Sequence, residues 1–204
     1  MKGDWFEKFK AVRNLEFNDS DFQKCESMMA EKIPIYLKYL PKGSTLLECC
    51  CGLGCTGIPL SKYYKVTAFD KDERILDYTI KNAMKYSKDI HIVKADFRNI
   101  DETFGLDSFK ACSSDGVLEH YTIPEIRQLL DLQLAVAPIV FATMPLGDGK
   151  NTEDEYGITR HGYTKKQWIE EILKGFDIMH SQTLTPVVKR GSNNEELFII
   201  IKRR

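Results

Sequence analysis

Two kinds of apolar spacing divide the chain. Over residues 4–40 apolar side chains return every three or four positions. Phe22, Cys25, Met29, Ile33 and Tyr36 mark the stripe, and Ser20 with Gln23 has the spacing of a capping box. This predicts helix, with a break or kink at Pro34 and an end at Pro41-Lys42-Gly43. Beyond it, short apolar runs alternate with helical stretches. Strands are predicted over 45–51, 65–69, 90–95, 109–114, 139–144, 176–185 and 196–202. Helices are predicted over 58–63, 73–86, 124–136 and 165–174. The 73–86 helix carries Ile75, Leu76, Ile80, Ala83 and Met84 on one face, and Thr122 caps the helix that has Pro124 in its first turn.

Strands alternating with helices imply an α/β fold, a largely parallel sheet covered on both faces. Such sheets bind ligands beyond the carboxyl ends of their strands, where strand order reverses. With 204 residues there is room for one such domain, 42–204, preceded by a helical segment, 1–41, expected to act as a lid.

Charge narrows the class of partner. Lys and Arg total 29 against 30 Asp and Glu, a net charge of −1. Duplex nucleic acid selects a basic surplus, so it is a disfavoured partner. Lys189-Arg190 and the tail Lys202-Arg203-Arg204 read as solvated ends. No apolar run has the length of a membrane span, and 1–10 lacks the apolar core of a signal peptide. Of 6 cysteines, Cys49, Cys50, Cys51 and Cys55 are clustered, with Cys25 and Cys112 apart. Adjacent cysteines close no useful loop, which points to a reducing, cytoplasmic setting. The cluster lacks C-x-x-C pairs, and strand alternation would leave only Cys49 and Cys51 on one face, so no metal site is expected.

The most informative stretch is Leu46-Leu47-Glu48-Cys49-Cys50-Cys51-Gly52-Leu53-Gly54-Cys55-Thr56-Gly57, a strand running into a glycine turn and a helix. Glycine permits a tight turn and close approach of a ligand, and a helix start offers unpaired N–H groups. Read as Gly52-x-Gly54-x-x-Gly57, with Asp70 further on, it fits a dinucleotide fingerprint. Glu48 argues against that reading, because a carboxylate beside the turn repels pyrophosphate but suits a ligand bearing ammonium and sulfonium charges.

The stretch resembles motif I of the class I S-adenosylmethionine-dependent methyltransferases. Glu48 matches the acid, and Cys50, Gly52 and Gly54 match the three glycine positions, Cys50 being a departure. The likeness continues through Val66-Thr67-Ala68-Phe69-Asp70, Ala95-Asp96-Phe97, Ser114-Asp115-Gly116-Val117-Leu118-Glu119-His120, Gly162-Tyr163-Thr164, Trp168 and Gly175-Phe176, so it covers residue 42 onward. It implies a Rossmann-like, doubly wound, mostly parallel seven-stranded sheet with an antiparallel last strand. It also implies S-adenosylmethionine as cofactor and S-adenosylhomocysteine as product. Glu48, Cys50, Gly52, Gly54, Asp70, Lys71, Asp96, Phe97, Ser114 and Asp115 would bind the cofactor, Asp70 at the ribose and Asp96 near the adenine amino group.

Methyl transfer from a sulfonium is an in-line displacement that needs alignment and exclusion of water more than a catalytic triad. A base is needed only for an acceptor that arrives protonated, and His120 is the candidate. Tyr121, Arg160 and His161 are candidate contacts of a small-molecule acceptor. The competing readings are an NAD-dependent oxidoreductase and a non-catalytic S-adenosylmethionine-binding protein. Ser114-Asp115-Gly116-Val117 differs from the acidic or amide-Pro-Pro-aromatic motif of DNA amino-methyltransferases. Oligomeric state and the acceptor itself leave no mark on the sequence.

Overall fold

In the computed structural model, residues 4–86, 89–154, 156–186 and 195–203 are described. Lys189-Arg190 and Arg204 lie outside them.

The helical segment folds as three helices, α1 (Trp5–Val12), α2 (Asp19–Met29) and α3 (Lys32–Tyr39). The capping box sits two residues earlier than the Ser20–Gln23 pair suggests. Asn18 accepts the N–H of Asp21 at 3.0 Å, and Asp21 accepts that of Asn18 at 3.1 Å. The break falls between Met29 and Lys32, so Pro34 occupies the first turn of α3, where its missing N–H costs no helical bond.

Strands β1 (Thr45–Cys49), β2 (Lys65–Asp70), β3 (Ile90–Lys94), β4 (Ala111–Asp115) and β5 (Ile139–Pro145) run parallel. A two-stranded arm, β6 (Thr152–Glu153) and β7 (Thr159–Arg160), precedes β8 (Asp177–Leu184) and β9 (Glu196–Lys202). The main sheet has the order β3-β2-β1-β4-β5-β9-β8, with β9 antiparallel to both its neighbours. Strand order therefore reverses between β1 and β4, which places the expected crevice beyond Cys49 and Asp115.

Alternate residues of each strand enter different cores. Leu46, Ala111, Phe141, Phe198 and Ile200 face one layer, built by α1–α3 together with α4 (Gly57–Leu60) and α5 (Glu73–Lys85). Leu47, Cys112, Val140, Leu197 and Ile199 face the other, built by α6 (Ile100–Phe104), α7 (Ile123–Val136) and α8 (Lys165–Gln167). The last of these widens into a π turn over Trp168–Ile172, closed by the Leu173 N–H on the Trp168 carbonyl at 2.8 Å. Phe6, Leu15, Phe17, Met29, Tyr36 and Leu40 of the N-terminal segment are buried in the first core, Tyr36 stacking on Phe141 at 4.1 Å. Among the described residues no helix is long and apolar enough to cross a membrane.

Two stripes differ from their expected composition. On the N-terminal helices Lys32, 3% exposed, takes the inward place expected of Ile33. On α5 the buried face is Ile75, Leu76, Thr79, Asn82 and Ala83, while Ile80 and Met84 are 41% and 74% exposed. Thr79 and Asn82 tolerate burial because each is hydrogen-bonded. The Thr79 hydroxyl donates to the Gly52 carbonyl. Asn82 accepts the Phe17 N–H at 2.8 Å and donates to the Leu15 carbonyl at 3.0 Å and the Leu53 carbonyl at 3.4 Å.

Candidate active site

The strand ends at Cys49, and the chain turns at once. Cys50 adopts φ 54°, Gly52 φ 51° and Gly54 φ 87°. Left-handed backbone costs a non-glycine residue roughly 1–2 kcal/mol, so Cys50 holds the first glycine position of the motif under strain. This turn also overrules strand alternation. Cys49 packs in the α7 core and Cys51 in the α5 core, on opposite sides of the sheet rather than on one face. Among the described residues no three His, Cys, Asp or Glu converge as a metal site.

The loop is held from three directions. The Cys51 N–H bonds the Phe69 carbonyl at 2.9 Å, and the Gly54 N–H bonds that of Cys51 at 2.9 Å. Asp70, at the tip of β2, accepts the Gly52 N–H at 3.2 Å and the Asp72 N–H at 3.2 Å. From α5, Thr79 and Asn82 take the Gly52 and Leu53 carbonyls. Burial raises the pKa of Asp70, and these N–H donors partly offset the rise.

Glu48 lies beneath the loop. It is 4% exposed, accepts a backbone bond from Gly57, and has Oε2 buried with no hydrogen-bond partner. A β-carbon at position 57 would stand 2.1 Å from Oε2, so only glycine fits there. Burial pushes the Glu48 carboxyl up to about 8, the Gly57 N–H opposes this, and Cys55, Asp115 and Asp70 add to it.

The far wall is the end of β4. Ser114 is buried with its hydroxyl without a partner, and Asp115 receives the ammonium of Lys32 at 2.6 Å. The same ammonium stands 3.4 Å from Glu196 on β9. Below it the Tyr36 and Ser113 hydroxyls share a bond at 2.7 Å. Lys32, Glu196 and Tyr36 are absent from any motif; their one sequence signal is that Lys32 falls three residues after Met29 and four before Tyr36, on the buried stripe.

The remaining candidates ring the crevice. Asp96 is exposed at the end of β3, where its carboxylate caps the Arg98 N–H at 2.9 Å; Lys71 is exposed beyond β2. The Phe97 ring is buried 6.0 Å from that of Phe69, which leaves its backbone rather than its side chain for an adenine. Tyr121 is half-buried, and burial raises its hydroxyl to about 12, with Cys50 and Asp96 among the charges it senses.

His120 Nδ1 lies 3.0 Å from the Thr159 carbonyl. A carbonyl only accepts, so Nδ1 carries the hydrogen, and in the neutral ring the lone pair is at Nε2. Arg160 has its Nε buried without a partner. His161 bonds the Glu119 carbonyl through its N–H at 2.8 Å and stacks on Tyr163. The β6–β7 arm thus holds all three next to the end of β4. Its tip meets α1: Tyr156 lies 4.9 Å from Phe9 and receives the Arg13 Nε–H at 2.5 Å.

Residues 46–136, which span the loop, Asp70, Asp96 and the end of β4, match the family model described as a methyltransferase domain. Over that stretch the chain is similar to methyltransferase domains. Sequence comparison with curated proteins finds no match. Solved structures share the fold at low identity. A protein of Pyrococcus horikoshii OT3 is 13% identical, with a TM-score of 0.73 over 100% of both chains. A methyltransferase of Methanosarcina mazei is 18% identical, with a TM-score of 0.70 over 83% of this chain and 97% of its own. The 1,6-didemethyltoxoflavin-N1-methyltransferase of Burkholderia thailandensis was solved with 1,6-didemethyltoxoflavin and S-adenosylhomocysteine bound. It is 20% identical, with a TM-score of 0.68 over 90% of this chain and 81% of its own. The fold is thus shared by proteins of very different sequence.

Proposed function

We propose that the chain binds S-adenosylmethionine across the carboxyl edge of β1, β2 and β4 and transfers its methyl group to a small-molecule acceptor. The observation that carries the cofactor placement is the loop itself, three left-handed positions at 50, 52 and 54, with Gly52 fastened to Asp70. Asp70 offers its remaining lone pairs to the ribose hydroxyls, and Asp96 stands at the adenine end. Glu48 serves the cofactor through the loop it supports, and Ser114 and Asp115 face the methionine end. The bound 1,6-didemethyltoxoflavin of the Burkholderia relative supports a small acceptor.

In the reaction the acceptor's lone pair attacks the methyl carbon as the carbon–sulfur bond breaks, leaving S-adenosylhomocysteine. His120, its Nε2 lone pair fixed by the Thr159 carbonyl, removes a proton from an acceptor that arrives protonated. Tyr121, Arg160 and His161 line the acceptor side. We assign the lid role to α1 and the β6–β7 arm, which meet through Phe9, Arg13 and Tyr156, and regard α2 and α3 as a permanent layer of the fold. The clustered cysteines of the loop suit a reducing, cytoplasmic setting.

The test is a thermal-shift measurement with S-adenosylhomocysteine and with NAD, on the wild type and Asp70→Ala. A ligand that binds only the folded state raises the melting temperature. S-adenosylhomocysteine should stabilise the wild type and NAD should not, and Asp70→Ala should weaken binding at least tenfold by losing charge-assisted bonds of about 1.5–3 kcal/mol each. Stabilisation by NAD alone would overturn the reading.

A further inference from the structure

Two of the thiols lie in contact across the boundary between the N-terminal segment and the glycine loop. Cys25 of α2 and Cys55, next to Gly54, are 30 residues apart in sequence, and their sulfurs are 2.8 Å apart. Packing brings them together. The ion pair Lys62–Glu26 joins the turn after α4 to the residue beside Cys25, and Phe22 of α2 stacks on Tyr86 at 4.0 Å. Cys25 is buried, whereas Cys55 is half-buried and open to a small oxidant. The other thiols are placed differently. Cys49 and Cys112 are both fully enclosed in the α7 core, Cys50 is half-buried against that same core, and Cys51 is buried beneath the loop on the other side.

We propose that Cys25 and Cys55 are a disulfide-forming pair, closed by a peroxide and opened by a dithiol, that fastens α2 to the cofactor loop. The chemistry balances without a further reagent. The Cys55 sulfur attacks one peroxide oxygen, the oxygen–oxygen bond breaks, and one water leaves as a sulfenic acid forms. The Cys25 sulfur then attacks the sulfenic sulfur, the sulfur–sulfur bond forms, the sulfur–oxygen bond breaks, and a second water carries away the remaining thiol proton. Each sulfur gives up one electron, and the peroxide takes both. Bonding requires the two sulfurs, 2.8 Å apart, to close to a bond of about 2.05 Å. The bond then stiffens Gly54-Cys55-Thr56, and a loop held in its binding conformation loses less freedom when ligand arrives. This coupling rests on the cofactor reading above, whereas the pairing does not.

The whole chain is treated with hydrogen peroxide, remaining thiols are alkylated, and peptides are mapped by mass spectrometry. We expect one crosslink, Cys25 to Cys55, reversed by dithiothreitol and absent in Cys25→Ser. The oxidised wild type should melt higher by roughly 5 °C or more, as a strain-free bond closing this loop requires. It should also bind S-adenosylhomocysteine at least threefold tighter, while peroxide leaves the affinity of Cys25→Ser unchanged. A crosslink elsewhere, alkylation of both thiols after peroxide, or a crosslinked protein that melts lower overturns the pairing. Equal affinity of the oxidised and reduced wild type overturns the coupling. If S-adenosylhomocysteine binds neither form, the cofactor reading fails while the crosslink result stands.

Discussion

Replacing Glu48 by Gln should remove a pH dependence that is written into the core of the domain. An unfolded glutamate ionises near 4.5, whereas burial keeps the folded carboxyl protonated up to about 8. The folded state therefore binds one more proton than the unfolded state between those values. Stability from this group is full below about 4.5, falls by about 1.4 kcal/mol per pH unit as the pH rises, and levels off above about 8. From pH 5.5 to 7.5 the loss is roughly 2–3 kcal/mol, a large part of a stability of about 5–15 kcal/mol. Asp70, also raised by burial, adds a slope of the same sign. Gln keeps an acceptor for the Gly57 N–H and carries no charge. Urea unfolding of wild type and Glu48→Gln at pH 5.5, 6.5 and 7.5 should show the variant gaining on the wild type at each step. Parallel curves for the two proteins would refute the argument, because they would mean that Glu48 is ionised in the fold at neutral pH.

Lys32→Met should cost about 3–5 kcal/mol, since it removes the cation between two buried carboxylates; adding Asp115→Asn and Glu196→Gln should recover most of it in the same urea assay. A loss below about 1 kcal/mol would show that the triad carries no buried charge. Cys50→Gly should fold at least as stably as the wild type, because relief of left-handed strain offsets the entropy of an added glycine. Cys50→Val should lose about 2 kcal/mol or more, and equal melting of the two would contradict the φ of 54°. In hydrogen exchange, α1 amides should exchange fast in the free protein and slow down with S-adenosylhomocysteine, while α3 amides stay protected throughout. Equal protection of α1 in both states would remove it from the lid.

Periodicity made the sheet legible because each strand is a short apolar run bounded by polar turns, and every strand expected from 45 to 202 is present within a few residues. The loop was legible because glycines mark where backbone geometry is unusual. Cys50 shows the limit of that signal, since its left-handed backbone is announced only by its place at the motif's first glycine position. Lys32 and Asn82 were misjudged for a common reason. Spacing arguments assign polar residues to solvent, yet both are buried because partners distant in the chain, Asp115 and Glu196 for one and residues 15–17 for the other, satisfy them. The β6–β7 arm left no pattern at all, because two-residue strands are too short to show a period.

That arm is a stem clamped at both its base and its tip. At its base Gly147 and Gly162 touch so closely that a β-carbon on Gly147 would meet Gly162 at 2.2 Å. The Gly147 N–H bonds the Tyr163 carbonyl at 2.9 Å, and the Gly162 N–H bonds that of Lys150 at 3.1 Å. Substitutions at either glycine would unseat Arg160 and His161 together. Asp154 shapes the tip, accepting the Tyr156 and Ile158 N–H groups at 2.9 and 2.8 Å, and Tyr156 carries the tip's contact with α1. A combinatorial library aimed at new acceptors therefore belongs around Arg160 and His161, with the two glycines and Asp154 held constant.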